Sequence, residues 1–183
     1  MKLSALGMME AKDATTALIS TMKGWKLDDS QIASVVDNVT ALDSAFATTS
    51  GDIMKAMAKA NVSASMSGMG LKDFESYITA VLDTSQLSAE TVGTAFKTLI
   101  ARFGNVKAGK FTKNFDANEQ GGDEGFSSLN DTEIVLNKVG IMTRDTAANF
   151  RDMNLVLEDI AKKWSTFNDV TKNAITTAMA GTR

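Results

Sequence analysis

The sequence contains no cysteine, no histidine and no proline in 183 residues. Without Cys or His, the chain itself has no thiolate or imidazole metal site, no disulfide, no cysteine nucleophile and no Ser-His-Asp relay. Carboxylates, Lys, Tyr and hydroxyls are what remain for catalysis. A cysteine-free chain is equally at home in oxidising and reducing compartments. The lack of proline removes the commonest helix breaker and favours helix throughout. Long apolar runs are also missing: none approaches the roughly 20 residues of a membrane-spanning helix. Glu10, Lys12 and Asp13 interrupt the N-terminal apolar stretch too early for an export-signal core. The chain therefore reads as soluble.

Positive charge is in short supply. Nineteen basic residues against 22 acidic ones leave a net charge of −3. Phosphate backbones are bound by clustered positive fields, so no specific nucleic-acid binding is expected. A hydrophobic content of 44% is that of an ordinary globular protein, and this length can bury a core unaided.

Apolar residues recur at intervals of three and four almost everywhere, the signature of amphipathic helices. Leu3, Leu6, Met9, Leu18 and Met22 suggest a first helix ending at Gly24, and Ser30 is placed to cap a second. The second carries Ile32, Val35, Val36, Val39, Leu42 and Phe46 as a broad core face. Thr49-Ser50-Gly51-Asp52 opens a third that Gly68-Met69-Gly70 breaks, and Phe74, Tyr77, Ile78 and Val81 mark a fourth ending near Asp83. Ser88-Ala89-Glu90-Thr91 caps a fifth that carries Val92, Phe96, Leu99, Ile100 and Phe103. Gly93 lies inside it; mid-helix glycine costs about 1 kcal/mol relative to Ala, so a close helix approach is expected there.

After Gly104 the periodicity stops. Residues 105–128 are Gly-rich and polar, reading as a long exposed loop, with Lys107, Lys110 and Lys113 ahead of Asp116, Glu119, Asp123 and Glu124. Asn130 then caps a short helix with Ile134, Leu136 and Val139. Ile141–Arg144 and Asn149–Arg151 have the spacing of a small β-hairpin, and two helices follow, the second capped by Asn168. The expected fold is mainly α, a compact bundle of seven to eight helices with one small hairpin near 141–151. It divides into a helical region 1–104, the loop 105–128 and a helical subdomain 129–183.

Candidate chemistry is sparse. Asp116, Asn118, Gln120 and Gly121 resemble the opening of a calcium loop, but the twelfth position, where a bidentate Glu belongs, is Ser127. No metal or other cofactor is expected. Glu75-Ser76 on a helix is similar to the catalytic acid of lytic transglycosylases, which needs a buried Glu of raised pKa. Glu75 reads instead as a helix-surface residue with no second catalytic group, so no enzymatic role is expected. Met54, Met57, Met66 and Met69 suit core filling better than a pliable binding face, and Trp25 and Trp164 read as buried anchors.

An ordered series of segments carries a family resemblance: Thr49-Ser50-Gly51-Asp52-Ile53; Ser88 through Thr98, with Gly93 and Lys97; Arg102; Leu129-Asn130-Asp131; Lys138-Val139-Gly140-Ile141; Phe150-Arg151-Asp152; Lys163-Trp164; and Ala180-Gly181-Thr182-Arg183. Together they resemble the phage tail tape measure proteins of long-tailed phages and prophages. The resemblance implies a structural role in tail assembly and tail-length determination, with self-association as a trimer or hexamer. It also implies contacts with tail tube, tail-tip or baseplate and tail chaperone proteins, and membrane contact during genome ejection; the Met-rich and Gly-rich segments around Met54 to Gly70 leave as the alternative a membrane-active or envelope-perturbing helical protein. The place of action would be the virion tail lumen or tip, and the host cytoplasm during assembly. The assembly residues so implied are Gly51, Asp52, Gly93, Lys97, Arg102, Gly140, Phe150, Arg151, Trp164, Gly181, Thr182 and Arg183.

Even a fully helical chain of this size would reach only about 270 Å at 1.5 Å per residue, short for a ruler. Members of the family continue beyond the Gly-Thr-Arg segment into long helices. The expectation is therefore a folded module of a longer protein, with Gly181 turning into further chain.

Overall fold

A computed structural model describes residues 10–85, 87–104, 130–146 and 149–181. Among these are eight α-helices: α1 (Ala11–Trp25), α2 (Asp29–Ala45), α3 (Ser50–Met66), α4 (Leu71–Ser85), α5 (Ala89–Phe103), α6 (Asp131–Lys138), α7 (Met153–Lys163) and α8 (Asp169–Ala180). A hairpin of β1 (Arg144–Thr146) and β2 (Asn149–Phe150) separates α6 from α7, and a 3-10 turn (Trp164–Thr166) follows α7. The fold is mainly α with one small hairpin, as the periodicity implies. The expected loop 105–128, the calcium-like segment within it, and the apolar residues Leu3, Leu6 and Met9 lie outside the described residues.

Helix starts are written locally. Thr49, Ser88, Asn130 and Asn168 each accept a hydrogen bond from the backbone amide three residues on, which satisfies an amide that has no intrahelical partner. At α2 the cap is Asp28 and not Ser30. The Asp28 carboxylate accepts from the Ser30 and Gln31 amides while Gln31 Oε1 accepts from the Asp28 amide, closing a capping box. Ser30 merely adds its hydroxyl to the same carboxylate, and this bond, with the amide bonds, holds Asp28 below the usual carboxylate range.

Contacts divide the chain into two compact units, Met1–Lys97 and Thr98–Arg183. In the first, α3 is the hub. Ile53, Met54, Ala56, Met57, Ala60, Asn61 and Ala64 are all buried along it, and its small residues let neighbouring backbones come close. At Gly24 on α1, an added Cβ would sit 2.8 Å from the Asn61 Cβ; at Gly93 on α5, it would run into the Ala56 carbonyl oxygen. The mid-helix glycine thus has the packing reason its cost demands. Asn61 is buried but satisfied: Trp25 Nε1 donates to its Oδ1 (2.9 Å) and its Nδ2 donates to Thr21 Oγ1 (3.1 Å). Phe74 of α4 stands between Trp25 and Phe96, both ring centroids 5.9 Å away, the Phe96 contact edge-on.

The apolar face expected on α2 is narrower than its residues suggest. Only Val35 and Val39 are buried, and Phe46 is 45% exposed. Met54, Met57 and Met69 fill the core as expected, while Met66 is exposed.

The second unit packs α6 against α8 and encloses Ile100, Phe103, Leu136, Ile141, Met153, Val156, Ile160, Ile175 and Met179. The hairpin pairs Arg144 with Phe150 and Thr146 with Asn149 in an irregular antiparallel register. It is shorter than the expected span: Ile141 is core and Met142 is exposed ahead of the first strand. Trp164 is another correction. It is 39% exposed, stacked edge-on against Phe167 and under Lys172, and does not anchor the core.

Candidate functional site

In the second unit, α6 begins at a buried polar lock. Asn130 and Glu133 form a capping box in which Glu133 Oε2 accepts from the Asn130 amide at 3.0 Å and Asn130 Oδ1 accepts from the Glu133 amide at 2.9 Å. The same carboxylate, fully buried, accepts from Thr143 Oγ1 at 3.2 Å and in fork geometry from Nε and Nη2 of Arg144. Arg144 also lies over the Phe150 ring, 4.9 Å from its centroid, and Phe150 leans on Phe103 at 5.7 Å. One buried carboxylate thereby ties the start of α6 to the hairpin. The Asn-x-x-Glu spacing is a visible signal for the box; nothing in the sequence points to Arg144 as its partner.

Several of the assembly candidates are held by specific contacts. Gly140 has φ +72°, and its carbonyl accepts from Lys163 Nζ at 2.8 Å. Arg151 donates to the Met142 carbonyl (2.7 Å) and to Asp159 (3.1 Å). Gly181 has φ +90°, its amide donates to the Thr177 carbonyl, and Arg102 lies over it, Cζ only 2.8 Å from where a Cβ would stand. An open groove of about 540 Å³ adjoins this contact, lined by Arg102, Asp131, Val135, Asn173, Thr177 and two alanines of α8, Ala174 and Ala178.

In the first unit, Gly51 is buried at the start of α3, Asp52 accepts from the Thr49 hydroxyl at 2.8 Å, and Gly93 abuts Ala56. Lys97 is exposed. Thr182 and Arg183 lie outside the described residues. These candidates do not converge on one catalytic centre; Arg102 with Gly181, and Phe150 with the Arg144 lock, are the groupings formed within a unit.

Glu75 is placed differently from its sequence reading. It is 1% exposed on α4, facing α2, where Asn38 Nδ2 donates to Oε2 at 3.4 Å while Oε1 has no hydrogen-bond partner among the described residues. Burial pushes its carboxyl up to about 7, against smaller opposing effects of the Asn38 hydrogen bond and the Lys72 charge. The alternation of apolar residues around position 75 hides this, because a single carboxylate between them looks like the polar side of a helix.

The model of the phage-related minor tail protein family matches residues 1–181. The chain belongs to that family. It is accordingly a phage tail component, and the capped, glycine-matched packing described above is the scaffold of a minor tail protein. No solved structure matches the chain. Among the described residues no helix is long and apolar enough to cross a membrane, and no group of His, Cys, Asp or Glu is arranged to hold a metal ion.

Proposed function

We propose that this chain is the folded helical module of a tail tape measure protein, acting structurally and without catalysis in tail assembly, length determination and genome ejection. The observation that carries the reading is the minor tail family match over residues 1–181. The tape measure assignment is supported by the ordered series of segments from Thr49 to Arg183. Burial of Glu75 within the helical packing favours scaffold over hydrolase.

The module does not measure length by its own extent. The longest described helices have 17 residues, about 26 Å at 1.5 Å per residue. Its work is to dock: on copies of itself, as a trimer or hexamer, on tail-tip or baseplate and tube proteins, and on tail chaperones before assembly. That places it at the tail lumen or tip, after an assembly phase in the host cytoplasm.

The test is in-frame removal of residues 10–181 from the phage reading frame that carries them. Tails should be lost or lose their uniform length in electron micrographs; normal tails of normal length would overturn the proposal. Light scattering of the purified chain with the tail-tip protein should show a trimer or hexamer. A monomer at every concentration would remove the self-association.

A further inference from the structure

We propose that α2 is a proton-controlled latch on the first unit, closed while Glu75 is neutral and released from α4 when that carboxyl ionises. The geometry supporting this lies along the seam between α2 and α4. Glu75 is buried there with no partner for Oε1 among the described residues, and the one polar side-chain contact that α2 offers it is the long Asn38 bond of 3.4 Å. A neutral carboxyl tolerates such a site; a carboxylate needs several strong donors or water.

The seam borders an open cavity. A cavity of about 390 Å³ lies between the first half of α2, at Gln31, Ser34, Val35 and Asn38, and the first turn of α4, at Leu71, Lys72 and Asp73. Asn38 both lines this cavity and donates to Glu75, so it is the gate between solvent and the carboxyl. Along its length α2 packs on both α3 and α4, but Val35 and Val39 are its only fully buried residues.

Its C-terminal end is fixed more firmly. The Ala47 amide donates to Asp83 on α4 at 2.8 Å, and the Ser50 amide donates to Asp43 at 2.8 Å. Release would therefore swing α2 about residues 45–50 and widen the existing cavity, uncovering Val35 and Val39.

Charges on the packed elements do not neutralise an ionised Glu75. On its own helix are Lys72, Asp73 and Asp83, the last engaged with the Ala47 amide; α2 brings Asp29, Asp37 and Asp43, the last engaged with Ser50; α3 brings Asp52, Lys55 and Lys59. Of these, Lys72 is the charge that acts on the carboxyl, and it opposes burial only in part. The contacts that α1 and α5 make with α4 at Phe74 are aromatic rings.

Hydrogen exchange of the full chain between pH 5 and 8, corrected for intrinsic exchange and referenced to α3, tests the latch. Opening of residues 29–45 should rise about tenfold per pH unit between roughly 5 and 7, then level off, as proton linkage to one group requires. In Glu75→Gln the rise should vanish. Exchange of α2 that parallels α3, or a rise unchanged in the variant, would overturn the proposal. Should Glu75→Gln fail to fold, the 13C shift of the Glu75 carboxyl in the native chain decides: a midpoint near 7 in step with α2 exchange supports the latch, and a midpoint near 4.5 sinks it.

Discussion

Arg102 closes over Gly181, its guanidinium carbon 2.8 Å from where a β-carbon would stand on the glycine. Two constraints meet there. With φ +90° and ψ 161°, position 181 sits in a region nearly restricted to glycine, and Arg102 fills the space a side chain would take. Gly181→Ala should therefore lower stability by about 1–3 kcal/mol in urea melts, as backbone strain of this kind does. Arg102→Ala added to it should recover little, because the flexible guanidinium can move aside while the backbone cannot. Full recovery in the double variant would assign the cost to the clash.

Gly93→Ala reverses the usual sign of a glycine replacement in a helix. Intrinsic propensity favours Ala by about 1 kcal/mol, but the new methyl meets the Ala56 carbonyl and the Lys59 Cβ of α3. Overpacking against backbone typically costs about 1–3 kcal/mol, so the variant should melt lower than the native chain. A rise in melting temperature would mean that α5 does not cross α3 at this point.

Breaking the lock between Glu133 and Arg144 should be more damaging. Their side chains are 0% and 9% exposed, and removing one partner of a buried pair leaves the other charge uncompensated, at about 3–5 kcal/mol. Arg144→Met should approach this loss. Replacing both, as Glu133→Gln with Arg144→Met, should cost less than the sum of the single changes in a double-mutant cycle. Simple additivity would show that the two side chains are not coupled.

Glu75 gives the first unit a pH dependence whose direction follows from its shift. Burial raises the carboxyl from its ordinary 4.5 to about 7 in the folded chain. Below about 4.5 both folded and unfolded forms are protonated and its ionisation costs nothing. Between 4.5 and 7 the unfolded chain releases the proton first, so stability falls with rising pH; above 7 the loss is complete. At 1.36 kcal/mol per pKa unit the loss is about 3 kcal/mol. Urea melts of Glu75→Gln should lack this decline and show a more stable protein than the native chain at pH 8.

The sequence made the helices legible because their instructions are local: apolar residues three and four apart, and a capping side chain at Thr49, Ser88, Asn130 and Asn168. Ser30 misled because Asp28, two residues earlier, starts the helix sooner, accepting from the Ser30 and Gln31 amides with a full charge and a reciprocal Gln31. The hairpin was legible in position but not in length, since Ile141 has a strand former's side chain and a core residue's role. The candidate site was far less visible. Burial of Glu75, exposure of Trp164 and the meeting of Glu133 with Arg144 depend on which helix faces which, and a 3.6-residue period identifies an apolar stripe without naming what covers it. Gly93 is the exception: a residue that weakens its own helix announces a tertiary contact.

The close crossings at Gly24 and Gly93 also bear on how this chain can diverge. At Gly93 the glycine meets the Ala56 backbone carbonyl, and at Gly24 the backbone of Asn61 and Val62 lies just behind the Asn61 Cβ, so trimming a neighbouring side chain cannot by itself make room. Descendants of this sequence should keep small residues at 24, 56, 60 and 93 while drifting freely at Val62 and Met66, which share α3 but face solvent. One face of that helix is closed to variation by its neighbours, and the other is left to whatever the surrounding tail selects.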